Sequence, residues 1–145
     1  MKSQSCAIDI LLVEDNPADV DLTIESFAEA GNRACLYPVS DGEEAMRFLR
    51  HEGEHSGSVR PDLVLLDLNL PRMDGREVLQ AIKTDPDLRS LPVIVLTSSQ
   101  AQKDITTSYE LHANCYITKP LGLSQFYQLA EAIEVFWSDV ATLPA

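Results

Sequence analysis

Apolar runs of strand length alternate with segments of helical period along most of the chain. Ile8-Asp9-Ile10-Leu11-Leu12-Val13 reads as a first strand. Asn16-Pro17 then supplies an N-cap and a proline at the first helical position, and Gly31 is a stop signal. The helix between them reaches about Ala30, with Val20, Ile24, Phe27 and Ala28 on one side. Cys35 to Val39 is a weaker strand, and Pro38, which cannot donate to a ladder, places it at a sheet edge. A helix over Glu43 to Arg50 leads into a polar surface connection from His51 to Pro61. Asp62 to Leu66 is the next strand, followed by a helix over Asp74 to Lys83. Pro92 to Leu96 is a strand ending at Thr97, Gln102 to Leu111 a helix, and Asn114 to Ile117 a short strand ending at Thr118-Lys119-Pro120. A last helix runs from Leu123 to about Asp139. This βα repetition predicts a parallel sheet with right-handed crossovers and helices on both faces.

The run Leu63-Val64-Leu65-Leu66 enters Asp67 directly. A strand that apolar is buried on both faces, and its carboxyl end is where open α/β sheets build their sites. Glu14-Asp15, Thr97 and Lys119 fall at the carboxyl ends of other strands, so all share one edge with Asp67. Each has a bland alternative taken singly: Asp15 as a helix cap, Lys119 as a surface cation, Thr97 as an ordinary strand-end hydroxyl. Their coincidence is harder to explain that way. Like charges at ~4 Å repel by about 4 kcal/mol at an effective dielectric near 20. The cluster must therefore take up protons, pair with Lys119 or bind a cation. Oxygen-only ligands suit Mg²⁺, and the lack of neighbouring His or Cys argues against zinc. A carboxylate beside Mg²⁺ and Lys can attack phosphorus to give an acyl phosphate on Asp67. Thr97 can then donate to the new phosphoryl group, a contact made only in the modified state.

Composition narrows the partners. The chain has 145 residues, enough for one domain with a sizeable core. Its net charge of -12 argues against a nucleic-acid backbone as ligand. Cys6, Cys35 and Cys115 are widely spaced and odd in number, which reads as buried free thiols in a reducing compartment. The first apolar run is too short for a signal peptide, and no run approaches the ~20 residues of a membrane span. A cytoplasmic location is expected.

Val13-Glu14-Asp15-Asn16, Leu65-Leu66-Asp67-Leu68-Asn69-Leu70-Pro71, Asp74-Gly75, Val95-Leu96-Thr97-Ser98 and Tyr116-Ile117-Thr118-Lys119-Pro120 resemble the receiver domain of two-component response regulators. The resemblance implies a flavodoxin-like (βα)5 three-layer sandwich whose parallel five-stranded sheet has the order 2-1-3-4-5. It implies one receiver over 1–145, with a core at about 7–138 and a C-terminal extension at 139–145. It makes Asp67 the phosphoacceptor. Glu14, Asp15, Asp67 and the main-chain carbonyl of Asn69 become the ligands of Mg²⁺, for which Mn²⁺ or Ca²⁺ can substitute. Lys119 contacts the phosphoryl group, and Thr97 and Tyr116 form the switch pair. In that family the bond matching Lys119–Pro120 is often cis. Such a protein assists its own phosphorylation and dephosphorylation without being a metabolic enzyme. Asp15-Asn16-Pro17-Ala18-Asp19, Asp74-Gly75-Arg76-Glu77-Val78-Leu79, the segment Ser108 to Pro120 and the ending Phe136-Trp137 with Thr142-Leu143-Pro144 resemble, more narrowly, the single-domain regulators of bacterial and cyanobacterial phytochromes. That implies a phytochrome histidine kinase as phosphodonor.

The last helix is the expected output surface. Phe126, Leu129, Ala130, Ile133, Trp137 and Val140 form a core-facing stripe, and Tyr127 and Phe136 widen the apolar arc to about 180°, against the ~100° a covering helix needs. Tyr127, Phe136 and Trp137 are therefore candidate interface residues of a homodimer. His51, His55 and His112 are poor candidates for phosphorelay. A haloacid-dehalogenase-type phosphatase would need a second Asp where Asn69 stands, and flavin binding would need a phosphate-cradling loop where Glu14-Asp15-Asn16 stands. A phosphorylation-independent interaction module on the same fold is the remaining alternative.

Overall fold

A computed structural model describes residues 6–144. Residues 1–5 and 145, counted within the receiver by the sequence reading, lie outside the described residues. The elements are β1 (Ile8–Val13), α1 (Pro17–Glu29), β2 (Ala34–Val39), α2 (Gly42–Arg50), a 3-10 turn (Gly53–His55), β3 (Leu63–Leu66), α3 (Gly75–Thr84), β4 (Val93–Thr97), α4 (Gln102–Glu110), β5 (Cys115–Thr118) and α5 (Leu123–Val135), which runs on into a π-helical turn (Phe136–Val140). The strands form one parallel sheet in the order β2-β1-β3-β4-β5. This is the expected flavodoxin-like topology, with Pro38 on an edge strand.

Period-two alternation divides the core into two layers. Ile8, Ile10, Leu12, Leu63, Leu65 and Ile94 pack with Phe27 of α1 and Ala130 and Ile133 of α5. Leu11, Val13, Val64, Leu66, Val93 and Val95 face the other way, onto Met46 and Leu49 of α2 and Val78, Leu79 and Ile82 of α3. The three central strands are buried along their whole length, which is why their sequences lack alternation.

The caps fix where the helices begin. Asn16 Oδ1 accepts from Ala18 N and Asp19 N at α1. Asp74 and Glu77 close a reciprocal capping box at α3. Gly75 is required there, because a Cβ would lie 2.2 Å from the carbonyl oxygen of Asp67. Its amide donates to Leu68 O at 2.9 Å, drawing the start of α3 against the strand that carries Asp67.

Four expectations need correction. Cys6 and Cys35 are joined by a disulfide, and Cys115 alone is a free thiol. The β1–β2 register sets Asp9 beside Cys35 and brings the Cys6 and Cys35 Cα atoms to 5.5 Å, a proximity that spacing along the chain does not reveal. The buried side of α1 carries Thr23, Ser26 and Phe27, while Ile24 is 40% exposed and Ala28 also faces outwards. Thr23 tolerates burial because its hydroxyl donates to Asp19 O at 2.7 Å. The regular last helix ends at Val135, and in the π turn Ala141 N reaches back to Phe136 O. That turn carries Val140 off the core stripe, leaving it 67% exposed. The described residues contain no cis peptide, so Lys119–Pro120 is trans, the isomer X–Pro bonds favour by about 0.5–1 kcal/mol.

Candidate functional site

The strand ladders extend into the polar residues just beyond them, and this assembles the site. Glu14 N donates to Val39 O at 3.0 Å, Asp67 N to Val13 O at 3.1 Å, and Lys119 N to Thr97 O at 2.8 Å. Glu14, Asp67, Thr97 and Lys119 are thereby fixed along one sheet edge by the backbone before any side-chain contact is made. Asp15 follows Glu14, and Asn69 lies beyond Asp67, where its amide donates to Asp67 Oδ1 at 3.2 Å.

Asp67 is 7% exposed and held on both oxygens. Thr97 Oγ1 donates to Oδ1 at 2.8 Å and Lys119 Nζ to Oδ2 at 2.9 Å. Burial opposes ionisation of Asp67, but the bonds from Lys119 and Thr97 outweigh it and hold its pKa below the ordinary carboxylate value. Lys119 Nζ also reaches Glu14 Oε1 at 2.5 Å and Asp19 Oδ2 at 2.8 Å, so each of its donors meets a different carboxylate. Burial disfavours the ammonium, yet Asp19, Glu14 and Asp67 together raise its pKa above the usual value. Glu14, 4% exposed, behaves differently from Asp67. Burial and the neighbouring Asp67 charge push its pKa up to about 7, against the pull of Lys119.

Carboxylate oxygens of Glu14, Asp15 and Asp67 all lie within 4.8 Å of one another. Lys119 brings one positive charge to these three carboxylates and bonds only Glu14 and Asp67 among them. The donors are hard oxygens, and the arrangement fits a hard divalent cation.

Asp19 escaped the sequence reading as a site residue. It lies in the first turn of α1, four positions after Asp15, and an acid in a first helical turn usually reads as a partner of the helix dipole. The available signal was Lys119, a lone cation at a strand end on the edge shared by Glu14, Asp15 and Asp67. Tyr116 lies beside the site but does not touch Asp67; its hydroxyl donates to Ser99 O at 2.8 Å. Tyr127, Phe136 and Trp137 belong to α5 and the π turn, on a separate surface. Phe136 is 49% exposed and stacks edge-on against Trp137, whose other contacts are with the core, while Tyr127 OH reaches Glu25 of α1 at 3.4 Å. The histidines serve local structure: His51 Nδ1 pairs with Ser58 Oγ at 2.9 Å and His55 Nε2 with Glu44 Oε2 at 3.0 Å.

Residues 10–131 match the family model of the response regulator receiver domain. The chain is 49% identical over 136 residues to response regulator Rcp1 of Synechocystis sp. (strain ATCC 27184 / PCC 6803 / Kazusa), an alignment covering 94% of this chain and 92% of that protein. The crystal structure of the phosphorylated cyanobacterial phytochrome response regulator RcpA superposes with a TM-score of 0.89 at 53% identity, covering 95% of this chain and 99% of the other. The Mn²⁺-bound form of Rcp1 superposes with a TM-score of 0.88 at 48% identity, with the same coverage. The chain therefore belongs to the response regulator receiver family.

Proposed function

We propose that Asp67 accepts a phosphoryl group from the phosphohistidine of a phytochrome histidine kinase. One Asp67 carboxylate oxygen attacks phosphorus, the P–N bond to the donor imidazole breaks, and an acyl phosphate forms on Asp67. The observation that carries this reading is a nearly buried carboxylate gripped at 2.9 Å by Lys119 and at 2.8 Å by Thr97. Lys119 offsets charge on the phosphoryl oxygens, and Thr97 can turn its hydroxyl from Asp67 towards them. Glu14, Asp15, Asp67 and the Asn69 carbonyl would hold Mg²⁺, with Mn²⁺ or Ca²⁺ as substitutes. When bound, the cation supplies positive charge where the phosphoryl oxygens gather it. The same groups assist hydrolysis of the acyl phosphate, and no metabolic reaction is assigned.

Thr97 and Tyr116 act as the switch pair in this reading. The likeness to phytochrome response regulators supports the choice of kinase. Residues 7–138 form the receiver core within the 1–145 domain, and 139–145 extend it. The protein works in the cytoplasm, where its kinase's phosphorylating domain is reached and where the Cys6–Cys35 bridge is open to reduction; among the described residues no helix is long and apolar enough to cross a membrane. A net charge of -12 leaves nucleic acid an unfavourable partner. The chain forms a homodimer through α5 and the π turn. Val135, Phe136 and Val140 are exposed there together, beside Tyr127 and Trp137.

The test is phosphotransfer from an autophosphorylated phytochrome kinase in Mg²⁺. Label should pass to the wild-type chain and not to Asp67→Asn; equal labelling of the variant would refute the assignment.

A further inference from the structure

A polar circuit outside the phosphoacceptor cluster returns to it from the other side. Asp104, in the first turn of α4, is bonded on both carboxylate oxygens. Oδ1 accepts from Arg76 Nη2 at 2.6 Å and Oδ2 from Ser99 Oγ at 2.6 Å. Arg76 extends its other guanidinium nitrogen to Asp74 Oδ2 at 3.0 Å, the residue that caps α3. The same Ser99 offers its main-chain carbonyl to Tyr116 OH at 2.8 Å, and its hydroxyl accepts from Ala101 N at 3.3 Å. Ser99 lies two residues past Thr97, which touches Asp67. Asp74 lies next to Gly75, whose amide is bonded to Leu68, the residue after Asp67. The path from Asp67 through Thr97, Ser99, Asp104, Arg76, Asp74 and Leu68 thus closes on itself.

We infer that Arg76 is a positioning residue: by clamping Asp104 it fixes the segment after β4 so that the Ser99 carbonyl receives the Tyr116 hydroxyl, linking the state of Asp67 to the position of that ring. Three features set this apart from a loose surface ion pair. Arg76 and Asp104 are only 31% and 19% exposed. The guanidinium spans two helix N-termini, a task for its planar fork that an ammonium group cannot perform. Both oxygens of Asp104 are committed, so removing Arg76 frees the carboxylate to turn and releases its grip on Ser99. The inference rests on Asp67 being the phosphoacceptor, but Arg76, Asp104, Ser99 and Tyr116 are hydrogen-bonded to one another and to Asp74, not to Asp67 or the metal ligands.

The experiment is ¹⁹F NMR of the full chain labelled with 3-fluorotyrosine, with and without beryllofluoride and Mg²⁺. Tyr116→Phe identifies the Tyr116 resonance, and bound beryllofluoride reports Asp67 occupancy in the same spectrum. In the wild type the Tyr116 resonance should move when beryllofluoride binds. In Arg76→Ala and Asp104→Asn beryllofluoride should still bind. Loss of a charge-assisted bond should raise the fraction of Tyr116 away from Ser99 on the order of tenfold and collapse its response. The double variant should lose no more than either single one. The resonance of Tyr37, on β2 at the far edge, must stay unchanged and so excludes unfolding as the cause. A full-sized Tyr116 response in both variants overturns the inference. Loss of beryllofluoride binding in the variants also overturns it, because Arg76 would then serve the acceptor itself. Failure of the wild type to bind beryllofluoride strikes the phosphoacceptor reading instead and removes the ground of this one.

Discussion

Lys119 is the residue on which the unphosphorylated site depends. It faces Glu14, Asp19 and Asp67 at once, and removing one partner of a buried charge cluster commonly costs about 3–5 kcal/mol. Lys119→Ala should therefore lower stability in urea unfolding by roughly that amount without metal, and Mg²⁺ should recover part of it. Glu14 gives the site a pH dependence. Its pKa rises on folding to about 7, so the folded chain holds a proton that the unfolded chain releases. Its contribution is fully present below the unfolded value of 4.5 and is lost as pH rises through about 7, a change on the order of 3 kcal/mol. Asp67, whose pKa is lowered, acts in the opposite sense: its contribution is present above the unfolded value of 3.8 and lost as pH falls through the folded one. Thermal unfolding of metal-free protein should accordingly show falling stability from weakly acidic to weakly alkaline pH. Glu14→Gln should flatten that slope, and an unchanged slope in the variant would contradict the assignment.

At the level of elements, the loops after the strands hold the site as firmly as the strands do. Gly75→Ala would drive a Cβ against the Asp67 carbonyl and the Leu68 backbone, so α3 would have to move away from the acceptor loop. A loss of at least about 2 kcal/mol in urea unfolding is expected, together with slower labelling of Asp67. The Cys6–Cys35 disulfide spans 29 residues, and the chain-entropy account gives such a loop about 3.6 kcal/mol. Reduction, or Cys6→Ser, should lower the melting temperature by a matching amount without affecting labelling, since both cysteines lie away from the carboxyl edge of the sheet. These elements also show what sequence pattern conveys. The central strands were legible because burial on both faces writes itself as unbroken apolar runs, and the site was legible because its residues follow those runs directly. The π turn, the rotated face of α1 and the disulfide were not. The π turn is tied to Arg33 through Asp139 at 2.8 Å, α1 packs against α5, and Cys6 meets Cys35, all partners distant along the chain, as Arg33 is for Glu134. That residue looks like a solvent-facing acid in α5, yet it is fully buried against Arg33. Asp19 was missed for the same reason, its partner Lys119 lying 100 residues away.

For the whole molecule, the sheet brings one acceptor, one lysine and one hydroxyl together at one edge, while Val135, Phe136 and Val140 are exposed together at the end of α5 and in its π turn. In the proposed function the first receives the signal and the second passes it on through a dimer. Phe136 is the most exposed of the aromatic interface candidates, so Phe136→Asp should shift sedimentation towards monomer while leaving labelling intact. A monomer in the wild type, with and without beryllofluoride, would reject the dimer. The central claim is the covalent one, and intact mass spectrometry with acetyl phosphate as small-molecule donor tests it most directly. With Mg²⁺ present the wild-type chain should gain the mass of one phosphoryl group, located by peptide mapping at Asp67 and removable by hydroxylamine, and Asp67→Asn should gain none. A phosphoryl group of the same yield in Asp67→Asn, or one mapped to another residue of the wild type, would contradict the account.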